Sequence, residues 1–73
     1  KKSALQIYPN PAKEKFIIST NGKIENVEIY SQTGQLLKTV KSKEVNIFNL
    51  NKGTYIVKIK TDKDTFTQKI IKE

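Results

Sequence analysis

The side chains in this 73-residue chain that could do chemistry are its carboxylates and its lysines. Histidine and cysteine are absent, so the chain lacks the usual general base at neutral pH and has no imidazole or thiolate to bind a metal ion. A Ser or Thr nucleophile needs an adjacent base that a third group orients, and no lysine or carboxylate stands in a turn that would supply one. The sequence therefore predicts a protein that is not an enzyme and that carries no cofactor or metal.

Asp62 and Asp64 are the most closely spaced carboxylates, and a shared calcium ion is the chemistry to consider for them. Calcium takes about 6 to 8 oxygen ligands, which two carboxylates on one loop fall far short of supplying. Lys63 also stands between them. We interpret the segment as the solvated tip of a hairpin.

Positive charge dominates the composition: the net charge is +7, from 14 basic and 7 acidic residues, and every basic residue is lysine. Lysine is a hydrated point charge and lacks the planar fork with which arginine reads phosphates and base edges. We therefore expect no nucleic-acid partner. Lys58, Lys60 and Lys69 alternate with apolar residues, which predicts the solvated face of a sheet or, alternatively, a docking stripe for an acidic partner.

Short β-type runs separated by turn signals every 8 to 12 residues are the elements that must position these side chains. No segment keeps a helical apolar period over three turns. Isolated Gly22, Gly34 and Gly53 each predict a turn with positive φ. The fold class predicted is all-β, a seven-strand antiparallel immunoglobulin-like sandwich, with strands near 5–8, 16–18, 27–30, 36–40, 45–47, 55–60 and 65–71.

Apolar alternation along these runs predicts which side chains face the core. The expected inward set is Leu5, Ile7, Phe16, Ile18, Val27, Ile29, Leu37, Val45, Ile47, Leu50, Tyr55, Val57, Ile59, Phe66 and Ile70.

Four motifs occur in order along the chain: Ile7-Tyr8-Pro9-Asn10-Pro11, then Val27-Glu28-Ile29-Tyr30 with Thr33-Gly34-Gln35, then Leu50-Asn51-Lys52-Gly53-Thr54-Tyr55, and Lys69-Ile70-Ile71-Lys72. Their order and spacing resemble the type A C-terminal sorting domain of type IX (Por) secretion cargo from Bacteroidetes, over essentially the whole chain.

The resemblance implies that residues 1–73 are a single C-terminal sorting domain cut from a larger secreted protein. Such a domain directs its parent, in transit through the periplasm, to the type IX translocon in the outer membrane. A sortase then usually removes the domain, and the cargo is attached to the cell surface or released. The implied partners are translocon, shuttle and sortase proteins, with no small-molecule substrate and a monomeric domain.

Most residues that carry the resemblance have a structural interpretation, as a strand-to-loop corner or as a turn with its core plug; they are Tyr8, Pro9, Asn10, Pro11, Gly34, Leu50, Gly53 and Tyr55. The closing segment 69–72 is the candidate recognition site, comprising Lys69, Ile70, Ile71 and Lys72, because an end strand is a natural place for a receptor to add a strand.

The alternative is an accessory fibronectin-like or carbohydrate-binding sandwich of a secreted enzyme. Carbohydrate binding would need an exposed aromatic platform, for which the candidates are Tyr8, Tyr30 and Phe48.

Overall fold

Seven strands and no helix make up the chain in the computed structural model, which describes residues 5–73. Each predicted strand is present. The strands are β1 (Leu5–Tyr8), β2 (Lys15–Thr20), β3 (Ile24–Ser31), β4 (Leu36–Val40), β5 (Glu44–Asn46), β6 (Gly53–Thr61) and β7 (Thr65–Lys72).

The strands form two antiparallel sheets, one of three strands in the order β1-β2-β5 and one of four in the order β4-β3-β6-β7. Buried side chains from both sheets make one core. The prediction of an all-β sandwich is confirmed, and the arrangement is compatible with the immunoglobulin-like type.

The core matches the predicted inward set at most positions. Ten predicted residues are buried: Phe16, Ile18, Val27, Ile29, Val45, Ile47, Tyr55, Val57, Ile59 and Ile70. Four more are partly buried and pack against that cluster: Leu5, Ile7, Leu50 and Phe66. The alternation missed Ala12, which is fully buried although it lies outside the named strands.

The prediction that Leu37 is a core residue is wrong, since 42% of its surface is exposed. The inward positions of β4 are set by Val40, which lies opposite Val27, and by Lys38, which lies opposite Ile29. The register then shifts, because Leu36 lies opposite Tyr30, the next residue of β3. Leu37 is the extra residue of this bulge and has no place in the inward alternation.

Two of the three glycine predictions are confirmed, with φ of +97° at Gly34 and +150° at Gly53. Gly22 does not have positive φ, so that prediction is wrong. Gly22 is buried against the hairpin between β6 and β7: a Cβ there would lie 2.9 Å from Asp62 Oδ1 and 3.0 Å from Thr61 Cβ. Close approach of a neighbouring loop is what requires glycine at this position.

Candidate recognition site

The corner that follows β1 is docked on the outer edge of β7. The Ala12 amide donates to the carbonyl of Ile71 at 2.8 Å, and the Glu73 amide donates to the carbonyl of Ala12 at 2.8 Å. These bonds form an isolated parallel bridge between Ala12 and Lys72. The structure thereby brings together the Tyr-Pro-Asn-Pro motif and the closing segment, which are far apart in the sequence.

Asn10 extends this contact with its side chain. Its Nδ2 donates to the carbonyl of Lys69 at 3.3 Å, and its Oδ1 accepts from the amide of Ile71 at 3.1 Å. One carboxamide thus pairs with β7 as a peptide unit of a neighbouring strand would. We call the segment Asn10–Ala12, with its hydrogen bonds to β7, the clasp.

The clasp determines how the end of β7 can be recognised. Between Lys69 and Glu73, two carbonyls and two amides on the outer edge of β7 already have partners in Asn10 and Ala12. A receptor strand would have to displace the clasp before it could pair with this part of the edge. Side chains, rather than free backbone groups, are therefore the features of the closing segment that a partner can reach.

The four candidate recognition residues divide between the two faces of the sheet. Ile70 lies opposite buried Tyr55 and is itself 1% exposed, so it belongs to the core. Lys72 is half-buried and shares the parity of Ile70. Lys69 and Ile71 are exposed, and alternation places both on the outer face. A partner approaching this face would meet one charge and one apolar side chain.

The proline corner itself is exposed at Tyr8, Pro9 and Pro11, and both X-Pro bonds in it are cis. Pro9 and Pro11 line a shallow depression together with the segment 13–15. This surface is mostly apolar, shallow and open. The side chain of Asn10 and the backbone of Ala12 connect the corner to the closing segment.

The other motif positions close loops. The Tyr55 hydroxyl donates to the carbonyl of Asn51, and the Leu50 amide donates to the carbonyl of Ile47 at 3.0 Å, so the loop before β6 folds onto the core. In the turn before β4, the Gly34 amide donates to the carbonyl of Ser31 at 2.9 Å. These contacts give Leu50, Tyr55 and Gly34 structural positions in the sandwich, and the positive φ of Gly53 does the same for the start of β6.

The two sheets differ in how their charges are paired. Among residues 5–73 the ion pair is Lys15–Glu44, at the surface of the three-stranded sheet. The hydrogen bond from Lys15 to Glu44, together with the negative charge of Glu44, raises the pKa of Lys15. On the four-stranded sheet the Tyr30 hydroxyl donates to Glu28 at 2.8 Å. That bond, with burial and the charge of Glu28, raises the pKa of Tyr30.

Asp62, considered above as a calcium ligand, has a structural partner. It is exposed, as expected at a hairpin tip, and its Oδ1 accepts from the Lys23 amide at 2.9 Å. Within residues 5–73 no three acidic side chains are grouped as a metal site would require. In the same part of the chain no helix is long and apolar enough to cross a membrane.

Comparison with known protein families gives one match. The family model for the secretion system C-terminal sorting domain matches residues 6–73. A search of curated proteins found no match. The matched range contains both partners of the clasp.

Proposed function

The chain belongs to the secretion system C-terminal sorting domain family, whose members are sorting signals for type IX secretion, and from that premise we propose how this domain is used. A signal of this family directs export to the cell surface or outside the cell. The domain comprises residues 1–73 and follows a larger cargo, which it accompanies through the periplasm. It has no catalytic activity and acts as a monomer that other proteins recognise.

The clasp is the observation that supports a recognition role for the closing segment. It holds β7 in place through Asn10 and Ala12, while Lys69 and Ile71 remain exposed on the outer face. Ile70 anchors the same segment in the core. Because the backbone that carries Lys69 and Ile71 is already held, a partner that binds them need not order that backbone.

We assign the partners in sequence. A shuttle and the outer-membrane translocon bind the folded domain, and a sortase then separates it from the cargo, which becomes attached to the cell surface. Lys69 and Ile71 make the first contact. The closing segment keeps the conformation that the partners recognise through Ile70, Lys72 and the motif residues Tyr8–Pro11.

The family match favours this function over an accessory carbohydrate-binding module. Of the three candidates for an aromatic platform, Tyr8 and Phe48 are exposed, whereas Tyr30 is half-buried and its hydroxyl is bonded to Glu28.

A reporter carrying a periplasmic export signal and fused to residues 1–73 tests the proposal in a host with type IX secretion. We expect the reporter outside the cell or on its surface, and we expect it in the periplasm when the translocon gene is deleted. A second control replaces residues 1–73 with an unrelated β-sandwich of similar size. Retention of the wild-type fusion in the periplasm of the intact host would refute the proposed function.

A further inference from the structure

The outer face of the four-stranded sheet carries an apolar strip that runs across it. Leu36 lies opposite Tyr30, Tyr30 lies opposite Ile56, and Ile56 lies opposite Lys69. Ile71 is the diagonal neighbour of Ile56 on β7. Leu36 is 49% exposed and Ile71 is 44% exposed, while Tyr30 and Ile56 are half-buried. We call Leu36, Tyr30, Ile56 and Ile71 the outer strip.

Three lysines border the outer strip on the β6–β7 side of the sheet. Lys58 and Lys60 follow Ile56 along β6 at alternate positions, so they share its face with Lys69. All three are exposed, and no salt bridge involving them is present among residues 5–73. Glu28 lies opposite Lys58 and accepts the Tyr30 hydroxyl, and its negative charge offsets only one of the three lysine charges. The face therefore combines an apolar band with a positive potential.

We propose that the outer strip and its lysines form a docking surface for a second protein whose own surface presents apolar side chains bordered by carboxylates. This inference rests on the proposed function and extends the recognised area from the closing segment to Leu36, at the opposite edge of the sheet. Such a partner would bury the strip while its carboxylates faced Lys58, Lys60 and Lys69, which is the complementarity that steers specific association.

A second copy of the chain fits this surface poorly. Two such faces would bring the lysines of one copy against those of the other, and the whole chain carries a net charge of +7. Like charges placed across an interface oppose association. An acidic protein satisfies both the apolar and the charged part of the surface.

Opposite charges introduced at one exposed position test the inference directly. Leu36→Glu and Leu36→Lys remove the same apolar contact and place residues of similarly low β-propensity on an edge strand. If the partner is acidic, Leu36→Glu is expected to slow secretion of the fused reporter about tenfold relative to Leu36→Lys. Only Leu36→Glu adds a charge of the same sign as the carboxylates of the partner.

Phe48 provides the matched control. It is the most exposed large apolar side chain, at 64%, and it lies beyond β5, outside the four-stranded sheet. Reporters fused to the Phe48→Glu and Phe48→Lys variants should be secreted at equal rates. Equal rates for the two Leu36 variants, or the same difference at Phe48 as at Leu36, would overturn the inference.

Two further measurements make the result decisive. If either Leu36 variant has a lower melting temperature, the same comparison is made with Thr67→Glu and Thr67→Lys, at an exposed position opposite Lys58. Sedimentation with vesicles of phosphatidylethanolamine and phosphatidylglycerol should leave the wild-type chain in solution. Binding to the vesicles that Leu36→Glu abolishes would identify an anionic membrane as the partner and overturn the inference.

The wild-type fusion separates this inference from the proposed function. If the wild-type reporter is retained in the periplasm, the proposed function fails. If it is secreted while the two Leu36 variants are secreted at equal rates, the function stands and the outer strip is not the docking surface.

Discussion

Asn10 and Ile71 are joined by a hydrogen bond across 61 positions of the sequence, in which the Ile71 amide donates to the carboxamide oxygen at 3.1 Å. The same carboxamide donates from Nδ2 to Lys69. A single side chain therefore continues the backbone ladder of β7 beyond the edge of its sheet. Its two bonds need a donor and an acceptor on two neighbouring atoms of one planar group, which a carboxamide supplies.

The requirement for an amide gives a prediction for Asn10→Asp. The carboxylate accepts from Ile71 as before but cannot donate to Lys69, and it faces that carbonyl with a negative charge. We expect the free energy of unfolding to fall by about 1 to 2 kcal/mol, measured by urea denaturation. Asn49→Asp, at an exposed turn position whose side chain makes no hydrogen bond within residues 5–73, is the control. Equal stability of the two variants would contradict a contribution of the clasp to stability.

Gly22→Ala is predicted to destabilise the chain even though its φ is not positive. The added Cβ would lie 2.9 Å from Asp62 Oδ1. The carboxylate must therefore move away from the Lys23 amide, from which it accepts a hydrogen bond. A cost of about 1 to 3 kcal/mol is expected for this crowding, read from thermal or urea unfolding. In the double variant with Asp62→Ala, part of the cost of Gly22→Ala should disappear, because the obstructing carboxylate is gone. Full additivity would show that the contact is not responsible.

Lys69→Gln and Lys72→Gln are predicted to differ in their effect on secretion, although both lysines lie in the C-terminal half of β7. Lys69 is exposed on the outer face, whereas Lys72 is half-buried on the other side of β7. Lys69→Gln should slow secretion of the reporter with a stability change below about 0.5 kcal/mol, and Lys72→Gln should have the smaller effect on secretion. Lys41→Gln removes one charge from a loop as a control. Normal secretion of folded Lys69→Gln would assign recognition to other residues.

Tyr30 should titrate above the usual tyrosine pKa of 10.0, because its hydroxyl is hydrogen-bonded to Glu28. The pKa of Tyr30 is higher in the folded than in the unfolded chain. The stabilisation of the fold by the protonated Tyr30 hydroxyl is therefore fully present below pH 10.0 and is lost as the pH rises through the folded-state pKa. Tyrosinate absorbance of the chain and of Tyr30→Phe isolates this group. Glu28→Gln should lower its pKa, and an unchanged titration would show that Glu28 has no influence.

The sequence predicted the strands and most of the core because the alternation is local: Val57 and Ile59 point inward wherever β6 is placed. It failed at Leu37, where one extra residue changes the parity of β4 and no composition signal marks the bulge. It failed at Gly22 because the loop that crowds this residue comes from Asp62, forty positions later in the chain.

The sequence predicted the two parts of the candidate site as separate motifs, but it could not predict that they contact each other. An Asn between two prolines indicates a rigid corner, but local pattern does not tell which distant strand edge the carboxamide will meet. The alternation did place Ile70 in the core and leave Ile71 out of it, as the structure has them, although the sequence named both as recognition residues.

The clasp joins a segment near the start of the domain to its last strand, since five strands, β2 to β6, lie between Asn10 and β7 in the sequence. A ribosome that stops before β7 releases a chain in which Asn10 has nothing to hold. The clasp therefore forms only after β7 has been synthesised. A precursor truncated before β7 would keep the proline corner but would lack the strand that the clasp holds, together with Lys69 and Ile71.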